Sequence, residues 1–389
     1  MKKNLIHYTT EQFAKNVHSK PDYVFLSPGR INLIGEHVDY NDGFVLPAAI
    51  NKYICFAVSK NESTECTLLA LDLEERYTFD LNTSLSPTPT LWANYILGVV
   101  HQLKEREHQL GGFTMAFSST IPIGAGLSSS AALECGVGYA MNSLYDLGLS
   151  KEDIALIGQK AEHTFAGVNC GIMDQFASVF GKKNSFIKLD CNTLTYDYYK
   201  ADFKAYSLLL LDSKVKHAHL TSGYNDRRQE VEEGLAVIKQ HYSQVKTFRD
   251  CTLDMLTSVR THLGDALYKR CHYVVKEIQR VTDATVAITQ SDFKKLGQLM
   301  LETHQGLSAD YEVSCAEIDF LVAKAQEEPT VLGSRMMGGG FGGCSLNLVT
   351  KGTEDALIAK ITAQYQAEFG ITLKAYKVKI AKGTTLYQH

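Results

Sequence analysis

Between Phe113 and Leu147 the hydrophobic period of the chain changes from two to about 3.6 across one short loop. FTMAFSS (113–119) alternates Phe113, Met115 and Phe117 on one face, which predicts a strand. The stretch Ser128 to Leu147 is rich in Ala, Leu, Met and Tyr and predicts a helix. The link is Pro122-Ile-Gly-Ala-Gly-Leu-Ser-Ser-Ser. A strand that feeds a helix through glycines belongs to a mixed α/β architecture. It also presents free N–H groups and the positive end of a helix dipole, where an anion can sit. Gly124 and Gly126 permit close backbone approach, and Ser128, Ser129 and Ser130 add hydroxyl donors. A serine N-cap accounts for one of those serines. A phosphate cradle accounts for all three.

Other segments extend the mixed pattern. YVFLS (23–27) predicts a strand running into Pro28-Gly29. FVLPAAI (44–50) and YICFAVS (53–59) predict two strands joined by a short turn. Ser150 and Asp153 form a capping box for a helix whose Ile154, Ile157, Ala161 and Phe165 make one apolar face, with Glu162 on its flank. SFIKLD (185–190) and SLLLLD (207–212) read as strands. Helices are expected over 224–241, 265–283, 291–305, 315–328 and 354–369, and strands over 345–349 and 373–381. The change in element order places a domain boundary near 192–205, dividing the chain into 1–200 and 201–389. At 389 residues and 45% hydrophobic composition, a large core is available.

Composition excludes several classes. A net charge of −4 lacks the basic footprint of a nucleic-acid binder. No apolar run is long enough for a membrane span, and MKKNLIHYTT has no apolar leader core. Nine cysteines without metal-like spacing read as reduced thiols of a cytoplasmic protein. There is no GxxxxGK[ST]. Gly338-Gly339-Gly340-Phe341-Gly342-Gly343 matches GxGxxG in letters, but it runs into a strand, so the helix N-terminus of a dinucleotide site is missing.

Two polar constellations remain. SPGRINLIGEHVDYN (27–41) places Arg30, Glu36, His37 and Asp39 among Ile31, Leu33 and Ile34. Such groups either pair with one another or face a pocket for a polar ligand. In GVNCGIMDQFASVFG (167–181), Asp174 is a carboxylate among apolar residues: a candidate general base or a helix-surface Asp.

Taken together, SPGRINLIGEHVDYNDG, PIGAGLSSSAALE and MMGGGFGGCS resemble the three signature motifs of the GHMP kinases, in the expected order. GVNCGIMDQFAS and SGYNDRR (222–228) resemble segments of those members that phosphorylate galactose. The resemblance spans almost the whole chain. It implies a two-domain α+β fold, with an N-terminal domain like ribosomal protein S5 domain 2 and a ferredoxin-like C-terminal domain. D-galactose and ATP would be the substrates, Mg2+ the cofactor, and α-D-galactose 1-phosphate and ADP the products. By position, Asp174 matches the proton acceptor and Arg30 the residue that stabilises the transition state. Glu36, His37, Val38, Asp39 and Tyr224 match sugar contacts. Gly124, Ala125, Gly126, Leu127, Ser128, Ser129 and Ser130 match the ATP loop. Ser130 and Glu162 match the magnesium ligands. Ala70, in TLLALDL, stands where a serine often contacts the nucleotide. A cytoplasmic monomer with no nucleic-acid or membrane partner is expected.

Other readings stand beside this one. A catalytically inactive galactose and ATP sensor would have an eroded serine-alanine loop, whereas Ser128 to Ala132 is intact. Kinases for N-acetylgalactosamine, mevalonate or homoserine share the loop. The run Glu36-His37-Val38-Asp39 favours a sugar. A purely structural α/β protein would leave five ordered motifs to coincidence.

Overall fold

The computed structural model describes residues 2–200, 202–216 and 220–387. Among these, thirteen strands form three sheets. The largest contains β1 (Tyr23–Asn32), β3 (Pro47–Lys60), β4 (Glu65–Ala70), β5 (Glu75–Asp80), β6 (Phe113–Ser119) and β13 (Thr385–Leu386), in the order β13-β1-β3-β6-β4-β5. A small sheet joins β2 (Phe44–Val45), β7 (Ser185–Asp190) and β8 (Tyr196–Lys200). The third contains β9 (Tyr206–Lys216), β10 (Val331–Met337), β11 (Gly342–Thr350) and β12 (Lys374–Val378), all antiparallel, in the order β10-β11-β9-β12. With helices between β9 and β10 and between β11 and β12, that order is the ferredoxin-like arrangement expected of the C-terminal half.

The helices are α1 (Lys2–Val17), α2 (Leu91–Glu105), α3 (Ser129–Tyr145), α4 (Lys151–Ala161) and α5 (Met173–Phe180) in the first half. The second half carries α6 (Leu220–His241), α7 (Leu253–Ser258), α8 (Arg260–Thr289), α9 (Phe293–Gln305), α10 (Ala316–Gln326) and α11 (Glu354–Phe369).

Side-chain alternation explains the strands. Phe113, Met115 and Phe117 of β6 enter the main core, while Ala116 faces Phe13 of α1 in a small core on the opposite side. In β9 the leucine run splits between two cores: Leu208 and Leu210 enter one, Leu209 and Leu211 the other. A strand covered on both faces needs no polar alternation, hence SLLLLD.

Several expectations change. β1 does not stop at Pro28-Gly29 but passes through a bulge there and continues to Asn32. The expected turn between 50 and 53 is absent, and β3 runs unbroken to Lys60. α8 extends to Thr289, with a non-helical residue at Gly264. The capping box at Ser150 and Asp153 is present in full. The last strand, β13, returns from the end of the chain to pair with β1.

Candidate active site

The loop after β6 and the start of α3 form one wall of a cleft of about 470 Å³. The opposite wall is the glycine-rich loop between β10 and β11, and the floor holds Arg30, Asp174 and residues 36–39. The two glycine loops touch. Gly338 has φ +86°, and a Cβ there would lie 3.2 Å from the Gly126 carbonyl oxygen. Glycine is therefore required at 338 for conformation and for space.

The start of α3 is not closed by a serine cap. Ser128 occupies the N-cap position in the left-handed region (φ 55°, ψ 58°) and makes no side-chain capping bond. Its hydroxyl instead donates to Asp174 Oδ2. The first N–H groups of α3 are thus left to an external acceptor, at the positive end of the helix dipole. Of the two readings of the serine run, the geometry favours the anion site.

Asp174 lies in the first turn of α5. Arg30 grips it bidentately, Nε to Oδ1 at 2.6 Å and Nη2 to Oδ2 at 2.9 Å. Arg30 Nη1 also donates to the Gly126 carbonyl, tying Asp174 to the glycine-serine loop. Arg30 is almost fully buried, while Asp174 keeps about a quarter of its side-chain surface open to the cleft.

Residues 36–39 leave β1 and turn sharply, with His37 at φ 60°. Glu36 Oε1 accepts from Arg335 Nη2 and from the Gly338 N–H, each at 2.9 Å. Burial opposes its charge, but Arg335, Arg30 and the Gly338 N–H outweigh burial and hold the carboxyl below its ordinary value. His37 Nδ1 bonds Tyr40 Oη at 2.8 Å, and Tyr40 Oη meets Tyr311 Oη at 2.9 Å. The imidazole lies against the rings of Tyr40, Tyr224 and Tyr311. Burial pushes its pKa down to about 4, against the Glu36 charge and the Gly339 backbone, which favour the protonated ring. A neutral imidazole at the cleft wall can both donate to and accept from a polar ligand. Asp39 is pushed up to about 7 by burial, with Asp174 and Glu36 adding to the effect. Gly171 leaves room for it, since a Cβ there would collide with the Asp39 carboxylate.

Ser128, Ser129, Ser130, Gly124, Gly126, Leu127, Glu162 and Tyr224 all line the cleft. Val38 and Ala125 do not: both are fully buried in the apolar cores. Glu162, expected on the flank of the α4 apolar face, lies just past the end of α4. It opens a π-helical turn after α4 and is buried. Its carboxyl is raised to about 7, by burial first and then by Asp174. Ala70 is buried inside β4.

Sequence reasoning missed Arg335, Tyr40, Tyr311, Glu134 and Gln175. A signal existed only for Glu134, a carboxylate in the apolar stretch AALECGVGYA, one helical turn beyond Ser130.

Three family models match the chain. The galactokinase galactose-binding signature covers residues 11–60, the GHMP kinases N terminal domain 94–182, and the GHMP kinases C terminal domain 284–367. A galactokinase of Thermosipho africanus is 40% identical over 92% of this chain and 98% of its own.

This chain belongs to the galactokinase family.

Galactokinases of Roseiflexus sp. (37% identical, 96% of this chain and 95% of the relative) and of Thermotoga maritima (39%, 92% and 98%) agree. The crystal structure of Lactococcus lactis galactokinase complexed with galactose superposes with a TM-score of 0.93 at 34% identity, covering 97% of this chain and 99% of that one. Mevalonate kinase structures share the fold alone, with a TM-score of 0.63 at 20% identity. The two-domain GHMP fold expected from the motifs is therefore the fold of this galactokinase-family chain.

Proposed function

We propose the following division of labour in an enzyme that transfers the γ-phosphoryl group of ATP to the C1 hydroxyl of D-galactose. Phosphoryl transfer depends on alignment and charge neutralisation more than on covalent participation. The open N-terminus of α3, with Gly124 to Ser130, receives the phosphates. Glu36, His37, Asp39 and Tyr224 receive sugar hydroxyls. Val38 and Ala125 support these loops from the core. Asp174 accepts or orients the proton of the C1 hydroxyl. Arg30 offsets charge on the moving phosphoryl group and keeps Asp174 beside the phosphate loop.

The donor set fits Mg2+. Glu162 and Ser130 are hard oxygen ligands, and Asp39, Glu162 and Asp174 together exceed the single charge of Arg30 in the cleft. Glu162 and Ser130 would hold the ion, which would supply charge neutralisation at the phosphates. Free thiols at all nine cysteines fit a cytoplasmic setting, and we take the enzyme to be a monomer there.

The observation that carries the catalytic assignment is the bidentate Arg30–Asp174 pair, joined by Ser128, where the phosphate loop meets the sugar residues. A positioned base contributes roughly 10²–10⁴-fold. Asp174→Asn is therefore expected to lower kcat by at least about 100-fold while galactose still binds in calorimetry. Retention of more than a tenth of the wild-type kcat would remove Asp174 from the role of base. ADP release with galactose, glucose and N-acetylgalactosamine tests the substrate. Binding of galactose and ATP without turnover would favour the sensor.

A further inference from the structure

Behind the cleft wall lies a buried group that the mechanism does not use. Glu134, on α3, is fully buried, as is Gln175, the residue after Asp174. Gln175 Nε2 donates to Glu134 Oε2 at 3.0 Å and to Glu162 Oε2 at 2.8 Å. The Cys170 thiol donates to the same Glu162 oxygen at 3.5 Å. None of these bonds takes Glu162 Oε1.

We infer that Gln175 and Glu134 are positioning residues that fix the carboxylate of Glu162 for the metal. The inference rests on the reading of Glu162 as a magnesium ligand. Two carboxyl groups flank the Gln175 side chain, and both accept. The amide presents its nitrogen to them, one N–H group to each carboxyl. Gly158 of α4 seats the assembly: a Cβ there would lie 3.2 Å from Gln175 Cγ and 3.3 Å from Glu134 Cβ. Gln175 and Cys170 thereby hold Glu162 through Oε2, and the Ser130 hydroxyl, the other oxygen read as a ligand of the cation, bonds the same carboxyl. Asp174 and Gln175 are adjacent in the first turn of α5, so one short helix sets both the base and the metal ligand. Partners of this kind typically change metal affinity 10–100-fold when removed.

The test is ADP binding by calorimetry, with EDTA and with saturating Mg2+, alongside galactose binding. In Gln175→Met the Mg2+-dependent gain in ADP affinity should fall at least about tenfold. ADP affinity in EDTA and galactose affinity should stay within about twofold, because no contact to either is removed. An unchanged Mg2+ gain would overturn the inference. So would equal losses of galactose and metal-free ADP binding, which mark general damage. The Glu134 pair reads the same clamp if Gln175→Met does not fold. Glu134→Gln keeps an accepting oxygen and should keep the Mg2+ gain, whereas Glu134→Leu should lose it. Equal behaviour of those two variants would overturn the inference. Glu162→Gln separates the layers. If it keeps the Mg2+ gain, the ligand reading falls and the clamp with it. If it loses the gain while Gln175→Met keeps it, only the clamp falls.

Discussion

Asp39 is a buried carboxyl placed near two other carboxyl groups, Asp174 and Glu36, and that placement makes stability depend on pH. Its folded pKa of about 7 lies above the ordinary value of 3.8, with burial as the first cause. Between those values the folded chain holds a proton that the unfolded chain has lost. Stability therefore falls as pH rises through that window, and the full penalty applies above about pH 7. His37 acts in the opposite direction: held neutral down to about pH 4, it lowers stability as pH falls from 6.5 toward 4. Comparing Asp39→Asn with wild type cancels His37. The variant, without ligands, should be more stable at pH 8 by on the order of 2 kcal/mol in denaturant unfolding. The difference should vanish below about pH 4, where both folded and unfolded wild type hold the proton. Equal stability at pH 8 would mean that the charge is compensated in the folded state. The same variant should lose galactose affinity, a conflict between stability and function common at active sites.

The junction of β6 with α3 is where an element's start serves chemistry and not its own closure. An N-cap serine ordinarily contributes about 1 kcal/mol to its helix. Ser128 makes no capping bond and sits in the left-handed region, where glycine is favoured. Ser128→Gly should therefore leave the melting temperature unchanged or raise it, by the equivalent of up to about 1 kcal/mol. The same change removes the bond to Asp174, and kcat should fall several-fold; a clear drop in Tm with unchanged kcat would show the hydroxyl to be a cap after all. The period of β6, the leucine run of β9 and the capping box at Ser150 were legible in the sequence because their causes are local. The continuity of β3 was not. Asn51-Lys52 looks like a turn, yet Asn51 exchanges bonds with Lys379, N–H to carbonyl at 2.9 Å and Lys379 N–H to Asn51 Oδ1 at 2.8 Å. A partner 328 residues away holds those residues extended. α1 escaped notice because Thr9 interrupts the Leu5, Thr9, Phe13 stripe, although its hydroxyl is satisfied by the Leu5 carbonyl. Within the site, the motif residues could be read from their order along the chain, but Arg335, Gln175 and Tyr311 gain meaning only from folding.

At the scale of the molecule, residues 33–39 at the cleft are held by residues from the second half of the chain. Arg335 of β10 is fully buried, and its guanidinium donates to the Leu33 and Asn32 carbonyls and to Glu36. Tyr273 of α8 donates to the Glu36 carbonyl, and Glu277 accepts the Gly35 N–H at 2.8 Å. In return, the chain end passes under α5, where Thr384 bonds Ser27 and Ser178 before β13 pairs with β1. The 33–39 segment is thus held by residues far along the chain, and galactose binding should be sensitive to their loss. Arg335→Met removes the buried partner of the Glu36 carboxylate and of the Asn32, Leu33 and Met336 carbonyls. Loss of one partner of a buried pair costs about 3–5 kcal/mol, because the other charge remains unpaired. Urea unfolding should show a loss of that size. Adding Glu36→Met to Arg335→Met removes the stranded charge, so the double variant should be no less stable than Arg335→Met alone, and more stable if the vacated space is filled. Galactose binding should not return in the double variant, since the carboxylate that faces the cleft is gone. Additive losses in the double variant would instead mean that Arg335 stabilises the chain through the carbonyls of Asn32 and Leu33 and not through Glu36.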